Sequence, residues 1–315
     1  MAIKNLINFL FAMLGLWSAA FIPIHGLGSI YIATWLFVAL WFMFMHKSLS
    51  LTIFSPLWSI LPLFYLIHLL AMVYTQNIKS GWFDLEVKLS LILLPFIFYN
   101  QHKQLNTQNI HFFKWFYALS ILGISLFLII KAAIIYQKTG DLGQCYYNEL
   151  SKPYHPSYLA MYIVMAIVFL YDFIITLNSR LLKIVLIVWI LFQLGFIYLL
   201  SSKAGILSAI IVLFLMSLHY IVRKRTILIP LMVLLISILF VYVGVFRNFR
   251  FKAVENTIQT AQTNVATTES NSARWLIWQV GLEIAKENWL LGVGTGDIKD
   301  KLLEEYAKRG MTGAL

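Results

Sequence analysis

The chain has 315 residues, of which 61% are hydrophobic and 12% charged, with a mean hydropathy of +0.81. Soluble domains carry about 25% charged residues, so this balance excludes a soluble globular protein and places the chain in a bilayer. Lys and Arg outnumber Asp and Glu by 24 to 13, a net charge of +11, yet they form no basic stripe interleaved with aromatics in a soluble domain, which excludes a nucleic-acid partner. Anionic membrane lipid is a sufficient partner for that charge, and the single Cys145 excludes an internal disulfide framework.

In chain order, apolar segments at 7–24, 28–45, 53–74, 89–100, 115–136, 157–177, 182–200, 205–221 and 226–246 predict nine spans. Most approach the ~20 apolar residues that a helix needs to cross the hydrocarbon core. The expected fold class is all-α: a polytopic transmembrane helical bundle over 1–246, followed by a helical periplasmic segment over 247–315. No small-residue cleavage site follows Lys4, so the first segment reads as a retained signal anchor. The fourth is short, and either borrows the preceding stretch 82–88 or is a broken helix bent at Pro95.

Basic residues in alternate loops set the orientation. Lys4, Lys47, Lys103, Lys114, Arg180, Lys183, Arg223, Lys224 and Arg225 fall on one side, nine in all, against five on the other: Lys79, Lys88, Lys138, Lys152 and Lys203. The bias puts the N-terminus in the cytoplasm and, after nine crossings, the polar tail outside.

The tail reads as surface helices. Phe251, Val254, Ile258, Ala261 and Val265 recur at helical steps and predict one amphipathic helix. Ser272 is expected to cap the next, on which Arg274, Trp278, Gly281 or Leu282, Ala285 and Trp289 share a face. Asp297 is expected to cap a third over 298–309, with Asp300 at the capping-box position, Glu304/Lys308 and Glu305/Arg309 as pairs, and Gly310 as the stop.

Each candidate site residue also has a plain structural role open to it. Arg274 can anchor its helix to lipid phosphate while Trp275, Trp278 and Trp289 form an interfacial belt. Lys203, in the tight outer turn Ser201-Ser202-Lys203-Ala204-Gly205, can snorkel to the boundary, and His155 before Pro156 can be a helix-entry residue. The run Gly292-Val293-Gly294-Thr295-Gly296 has the composition of a phosphate cradle but follows no predicted strand, so as a nucleotide motif it is weak. Its backbone N–H groups can still face an anion.

These residues in this order resemble the O-antigen ligase and polymerase family of bacterial envelope glycosyltransferases, which have many spans and one large periplasmic segment. The resemblance runs from 88–95 through His155-Pro156-Ser157-Tyr158 and Ser202-Lys203-Ala204-Gly205 to the tail. There Ser272-Ala273-Arg274-Trp275-Leu276-Ile277-Trp278 and Trp289-Leu290-Leu291-Gly292-Val293-Gly294-Thr295-Gly296 match best. It implies transfer of a glycan from a polyprenyl-diphosphate carrier to an acceptor hydroxyl of lipid A core, a glycan or a protein, at the periplasmic face of the bacterial inner membrane. On this reading Arg274 and Lys203 are catalytic cations for the leaving diphosphate, His155, Trp278, Gly292 and Gly294 bind substrate, and no metal or other cofactor is required.

Two departures stand out. The ligase branch commonly has arginine where this chain has Lys203, which keeps the charge and loses the bidentate fork. The family's periplasmic histidine is expected just beyond the glycine pair, yet no histidine follows His219, so the sequence is expected to continue past Leu315. A polymerase of the same family is the alternative to a ligase. From other classes, a lipid-linked glycan transporter and an assembly subunit are the competing readings.

Overall fold

The computed structural model describes residues 56–101, 107–224 and 270–314, with isolated positions at 36, 37, 40, 41, 44, 265 and 266. In order, the helices are α1 (Pro56–Ala71), α2 (Ile78–Lys88), α3 (Ser90–Gln101), α4 (Thr107–Thr139), α5 (Tyr147–Ser151), α6 (Pro156–Thr176), α7 (Arg180–Leu199), α8 (Lys203–Lys224), α9 (Ser270–Glu287) and α10 (Ile298–Lys308). Short 3-10 turns occupy Met72–Tyr74, Leu142–Cys145 and Thr312–Ala314, and among the described residues there is no strand. The described part of this membrane protein is thus all-helical.

Among the described residues four helices are long and apolar enough to span: Ile110–Thr139, Pro156–Thr176, Arg180–Leu199 and Lys203–Arg223. They coincide with the expected fifth to eighth spans. The expected spans 7–24 and 226–246, all of the helix over 251–265 but its last residue, and nearly all of 28–45 lie outside the described residues. The expected span 53–74 is the 16-residue α1, with Pro62 inside it, continued by the Met72–Tyr74 turn. The fourth expected span is the 12-residue α3, about 18 Å at 1.5 Å per residue, which is too short to cross the core alone. Pro95 lies inside it, and only Leu89, in helical conformation, separates it from α2.

The described residues fall into two compact units, one holding 107–224 and the other 56–101 with 270–314. In the first, helix packing follows from the spacing of small and apolar residues. Ala118, Ile121, Ser125, Leu128 and Ala132 on α4, and Leu159, Ile163, Ala166, Leu170 and Phe173 on α6, recur at alternating three- and four-residue steps and are all buried. That is the seam of helices crossing at a shallow angle. Lipid tails are as apolar as these side chains, so close contact and hydrogen bonding must hold the helices together. Gly205 supplies the contact: a Cβ there would sit 2.4 Å from the Ala160 Cβ. Fully buried Ser125 supplies a hydrogen bond, donating to the Gln193 Oε1 across α4 and α7 at 3.0 Å.

One end of this unit gathers the start of α4, the end of α6, the start of α7 and the end of α8. Lys114 pairs with Asp172 at 2.7 Å there, and the Tyr171 hydroxyl meets Met216 O at 3.1 Å and His219 Nδ1 at 2.9 Å. Arg180, Lys183, Arg223 and Lys224 occupy the helix ends at this same pole. The opposite pole carries the N-termini of α6 and α8.

In the second unit, α9 and α10 form a hairpin closed over Val280, Ile284, Tyr306 and Met311. Arg309 Nη1 bridges to Glu283 Oε2 at 2.7 Å, and the expected Glu304/Lys308 and Glu305/Arg309 pairs form at 2.7 and 3.3 Å. Hydrogen bonding to Lys308 is the main cause holding the Glu305 carboxyl below its ordinary value. Gly310 (φ +68) ends α10 as expected, with Met311 N donating to Tyr306 O at 2.9 Å in the pattern of a Schellman stop.

Candidate functional site

The loop between α9 and α10 is built on its glycines. Gly292 (φ +72) and Gly294 (φ +95) lie in the left-handed region, and Gly296 is buried where a Cβ would stand 2.1 Å from Asn77 O and 2.8 Å from Gly81 N. Any side chain at Gly296 would therefore push the loop off the start of α2. Thr295 Oγ1 donates to His68 O at 2.7 Å, and Gly296 N reaches Thr75 Oγ1 at 3.4 Å, so the loop is fastened to the last turn of α1 and to the residues after it.

Asp297 departs from its expected role. It holds the N-cap position of α10 but makes no side-chain cap bond there. Its carboxylate accepts from Gln76 N at 2.8 Å and from Asn77 N at 2.7 Å, the two N–H groups that lead into α2. Asp300, expected in a capping box, accepts instead from Asn77 Nδ2 at 2.6 Å. The carboxylate thus joins the start of α10 to the chain entering α2. Ser272 also departs: it lies inside α9, which already includes Ser270.

Beside the loop is a cavity of about 330 Å³, within the size range of small-molecule sites. Its wall combines Gly292–Thr295 with Gly281, Ile284 and Ala285 of α9, and with His68, Tyr74, Asp84 and Lys88. Lys88 Nζ is hydrogen-bonded to Asp84 Oδ2 one turn away, and the Tyr74 hydroxyl donates to Leu291 O. His68 Nδ1 lies 2.9 Å from Phe64 O.

Of the expected residues, Gly292 and Gly294 line this cavity. Arg274 and Trp278 do not, yet they share the α9 stripe that continues through Gly281 and Ala285 into its wall. At 1.5 Å per residue, Arg274 is about 10 Å along the axis from Gly281. Both are exposed, Trp278 by 67%, while Ala273, Val280 and Ile284 face the interior. Among the described residues Arg274 has no ion pair and no hydrogen-bond partner.

Lys203 and His155 belong to the first unit, where they lie at the starts of α8 and α6 at one pole. Ser202 Oγ accepts from Gly205 N at 3.1 Å, capping α8, and donates to Ser157 Oγ at 3.2 Å in the first turn of α6. Lys203 follows the cap directly, half-buried, where its charge opposes the helix dipole at a cost of about 0.3–1 kcal/mol. His155 Nδ1 accepts from Ser157 N at 3.3 Å, so it caps α6, and in the neutral ring Nε2 carries the proton and is left as a donor. Burial pushes the neighbouring Tyr154 hydroxyl up to about 12, keeping it protonated.

Sequence reasoning missed His68, Asp84 and Lys88 as site residues. For His68 the available signal was an ionisable side chain within an otherwise apolar helix, which by itself marks a functional candidate, whereas Asp84 and Lys88 lie among other charges on α2 and carried no such signal.

A family model described as O-antigen ligase matches residues 186–314, from the middle of α7 through α10. The resemblance read from the sequence is thereby shown over that part of the chain. No curated protein and no solved structure matches. The matched part contains Lys203, Arg274, Trp278, Gly292 and Gly294, while His68, Lys88 and His155 precede it.

Proposed function

We propose, from the O-antigen ligase match over 186–314, that this chain is a membrane glycosyltransferase moving a glycan from a polyprenyl-diphosphate carrier to an acceptor hydroxyl at the outer face of the bacterial inner membrane. The observation that carries the reading is the α9 stripe. It presents an exposed arginine, unpaired among the described residues, beside an exposed tryptophan and leads into a cavity walled by the glycine loop, a lysine and a histidine. In such a transfer the bond from the anomeric carbon to the diphosphate breaks, and the negative charge that develops requires fixed cations. Arg274 is assigned that role with its bidentate fork, and Lys203 serves as a second cation. Trp278 offers an apolar face for a sugar ring or the lipid, and Gly292 and Gly294 shape the cavity wall. His155 is assigned substrate binding through Nε2–H. The division into a bundle over 1–246 and a periplasmic segment over 247–315, with a cytoplasmic N-terminus, belongs to the same proposal.

A transporter is less well supported. Among the described spans, Asp172 is paired with Lys114 near one pole, Lys131 bonds to Lys152 O, and the buried polar pair Ser125 and Gln193 is neutral. A ligase and a polymerase use the same residue types, so the glycan that accumulates on the carrier after deletion separates them. Long chains are expected for a ligase and single repeat units for a polymerase. An unchanged carrier-linked pool would sink both.

A further inference from the structure

We infer that the turn Trp289-Leu290-Leu291, which leaves α9 for the glycine loop, is an anchor that dips into the lipid boundary and holds the cavity at that depth. The inference rests on the chain lying in a bilayer and not on the glycosyl-transfer reading. The three side chains stand 76, 74 and 76% exposed in one run, while the rest of the hairpin folds its apolar residues inward over Val280, Ile284, Tyr306 and Met311. Large apolar side chains turned outward together mark a surface that another apolar phase covers.

What covers this one follows from where the turn is tied. The Tyr74 hydroxyl donates to Leu291 O, which fixes the turn to the end of the α1 segment. From Pro56 to Tyr74 that segment contains no Asp, Glu, Lys or Arg, and Ile60, Leu63, Phe64, Ile67 and Leu70 are exposed along it, so its surroundings are lipid. Val73, 86% exposed, and Tyr74 end it, and the chain turns polar at once with Thr75, Gln76 and Asn77. The end of α1 is therefore the level at which hydrocarbon gives way to headgroups. Of the three tryptophans expected in an interfacial belt, Trp275 and Trp278 lie within α9, and Trp289 is the one on the turn at this level. Indole suits the place, with an apolar body for the acyl chains and an N–H for the headgroups.

The backbone of the turn is also prepared for lipid, where an unpaired carbonyl is costly. Ile284 O accepts from Asn288 N at 3.1 Å and from Asn288 Nδ2 at 2.8 Å, Asn288 O accepts from Gly292 N at 2.8 Å, and Leu291 O accepts from Tyr74. Tyr74 and Leu291 line the cavity as well, so the depth of the turn sets the depth of the cavity.

The test uses the full-length protein in vesicles of phosphatidylcholine and phosphatidylglycerol, in a Cys145→Ser background and without substrate, so that its outcome is independent of glycan transfer. A fluorophore on Leu290→Cys should lose most of its emission to a nitroxide carried on the lipid headgroup, and little to a nitroxide dissolved on both sides of the membrane. The same fluorophore on Ala307→Cys, exposed near the end of α10, should show the reverse. Adding Trp289→Ser should shift the Leu290→Cys label toward the dissolved quencher. Equal quenching of the two labels by the dissolved nitroxide would overturn the anchor, as would an unchanged profile with Trp289→Ser. Protection of the Leu290→Cys label from both nitroxides would overturn it too, because a protein surface, such as a second copy of this chain, would then cover the turn.

Discussion

At the residue scale, two glycines of one loop do different jobs, and substitution should separate them. Gly292 is exposed with open space around its missing side chain, so alanine there costs only the left-handed backbone, about 1–2 kcal/mol. Gly296 abuts the backbone of Asn77 and Gly81, which cannot swing aside. Gly296→Ala should therefore lower the thermal midpoint and transfer together, by more than Gly292→Ala does. Equal effects would show that the loop does not need its contact with α2. Asp297→Asn should weaken the same joint by about 1.5–3 kcal/mol, because a charged acceptor for two N–H groups becomes a neutral one. Arg274, without a partner among the described residues, should behave oppositely. Arg274→Ala should leave abundance and thermal midpoint unchanged while transfer falls on the order of 10²–10³-fold. Arg274→Lys should rescue poorly because the fork is lost, whereas Lys203→Arg should be tolerated. Wild-type transfer by Arg274→Ala would remove it from the site.

At the element scale, the close crossing of α6 and α8 rests on Gly205. Gly205→Val places branched carbons where even a Cβ is 2.4 Å from Ala160, so it should cost about 1–3 kcal/mol and separate Ser202 from Ser157. A lower thermal midpoint in detergent, recovered in part by Ala160→Gly, checks it; no shift would mean that the helices are free to slide. These elements were legible in sequence because bilayer length and apolar composition are local properties. The expected spans 157–177 and 182–200 differ from Pro156–Thr176 and Arg180–Leu199 by at most two residues at each end. Long-range partners were not legible. Spacing alone placed Asp297 at the α10 N-cap, and nothing local reveals that Gln76 and Asn77, some 221 residues earlier, compete for the same carboxylate. The Arg274 stripe was readable from the helical repeat. The histidine of the cavity was not, because hydropathy buries His68 in an apolar average and only the fold brings it to Gly292–Thr295.

At the scale of the whole molecule, the remaining question is which side of the membrane each pole faces. Lys114, Arg180, Lys183, Arg223 and Lys224 collect at one pole of the first unit, and the helix starts carrying His155 and Lys203 lie at the other. Translocation disfavours short loops rich in Lys and Arg, so the basic pole should be cytoplasmic and the Lys203 pole outward. The direction of α8 then makes Lys224 an inside residue. Whether the tail is outside depends on one further crossing between Lys224 and α9, expected at 226–246. A labelling experiment reads both steps. In a Cys145→Ser background, Glu287→Cys should react with an impermeant maleimide on intact cells, and Lys224→Cys only after the cells are opened. Labelling of Lys224→Cys on intact cells would invert the protein. Protection of both would mean that 226–246 does not cross, returning Arg274 and the cavity to the cytoplasm, away from a carrier-linked glycan presented outside.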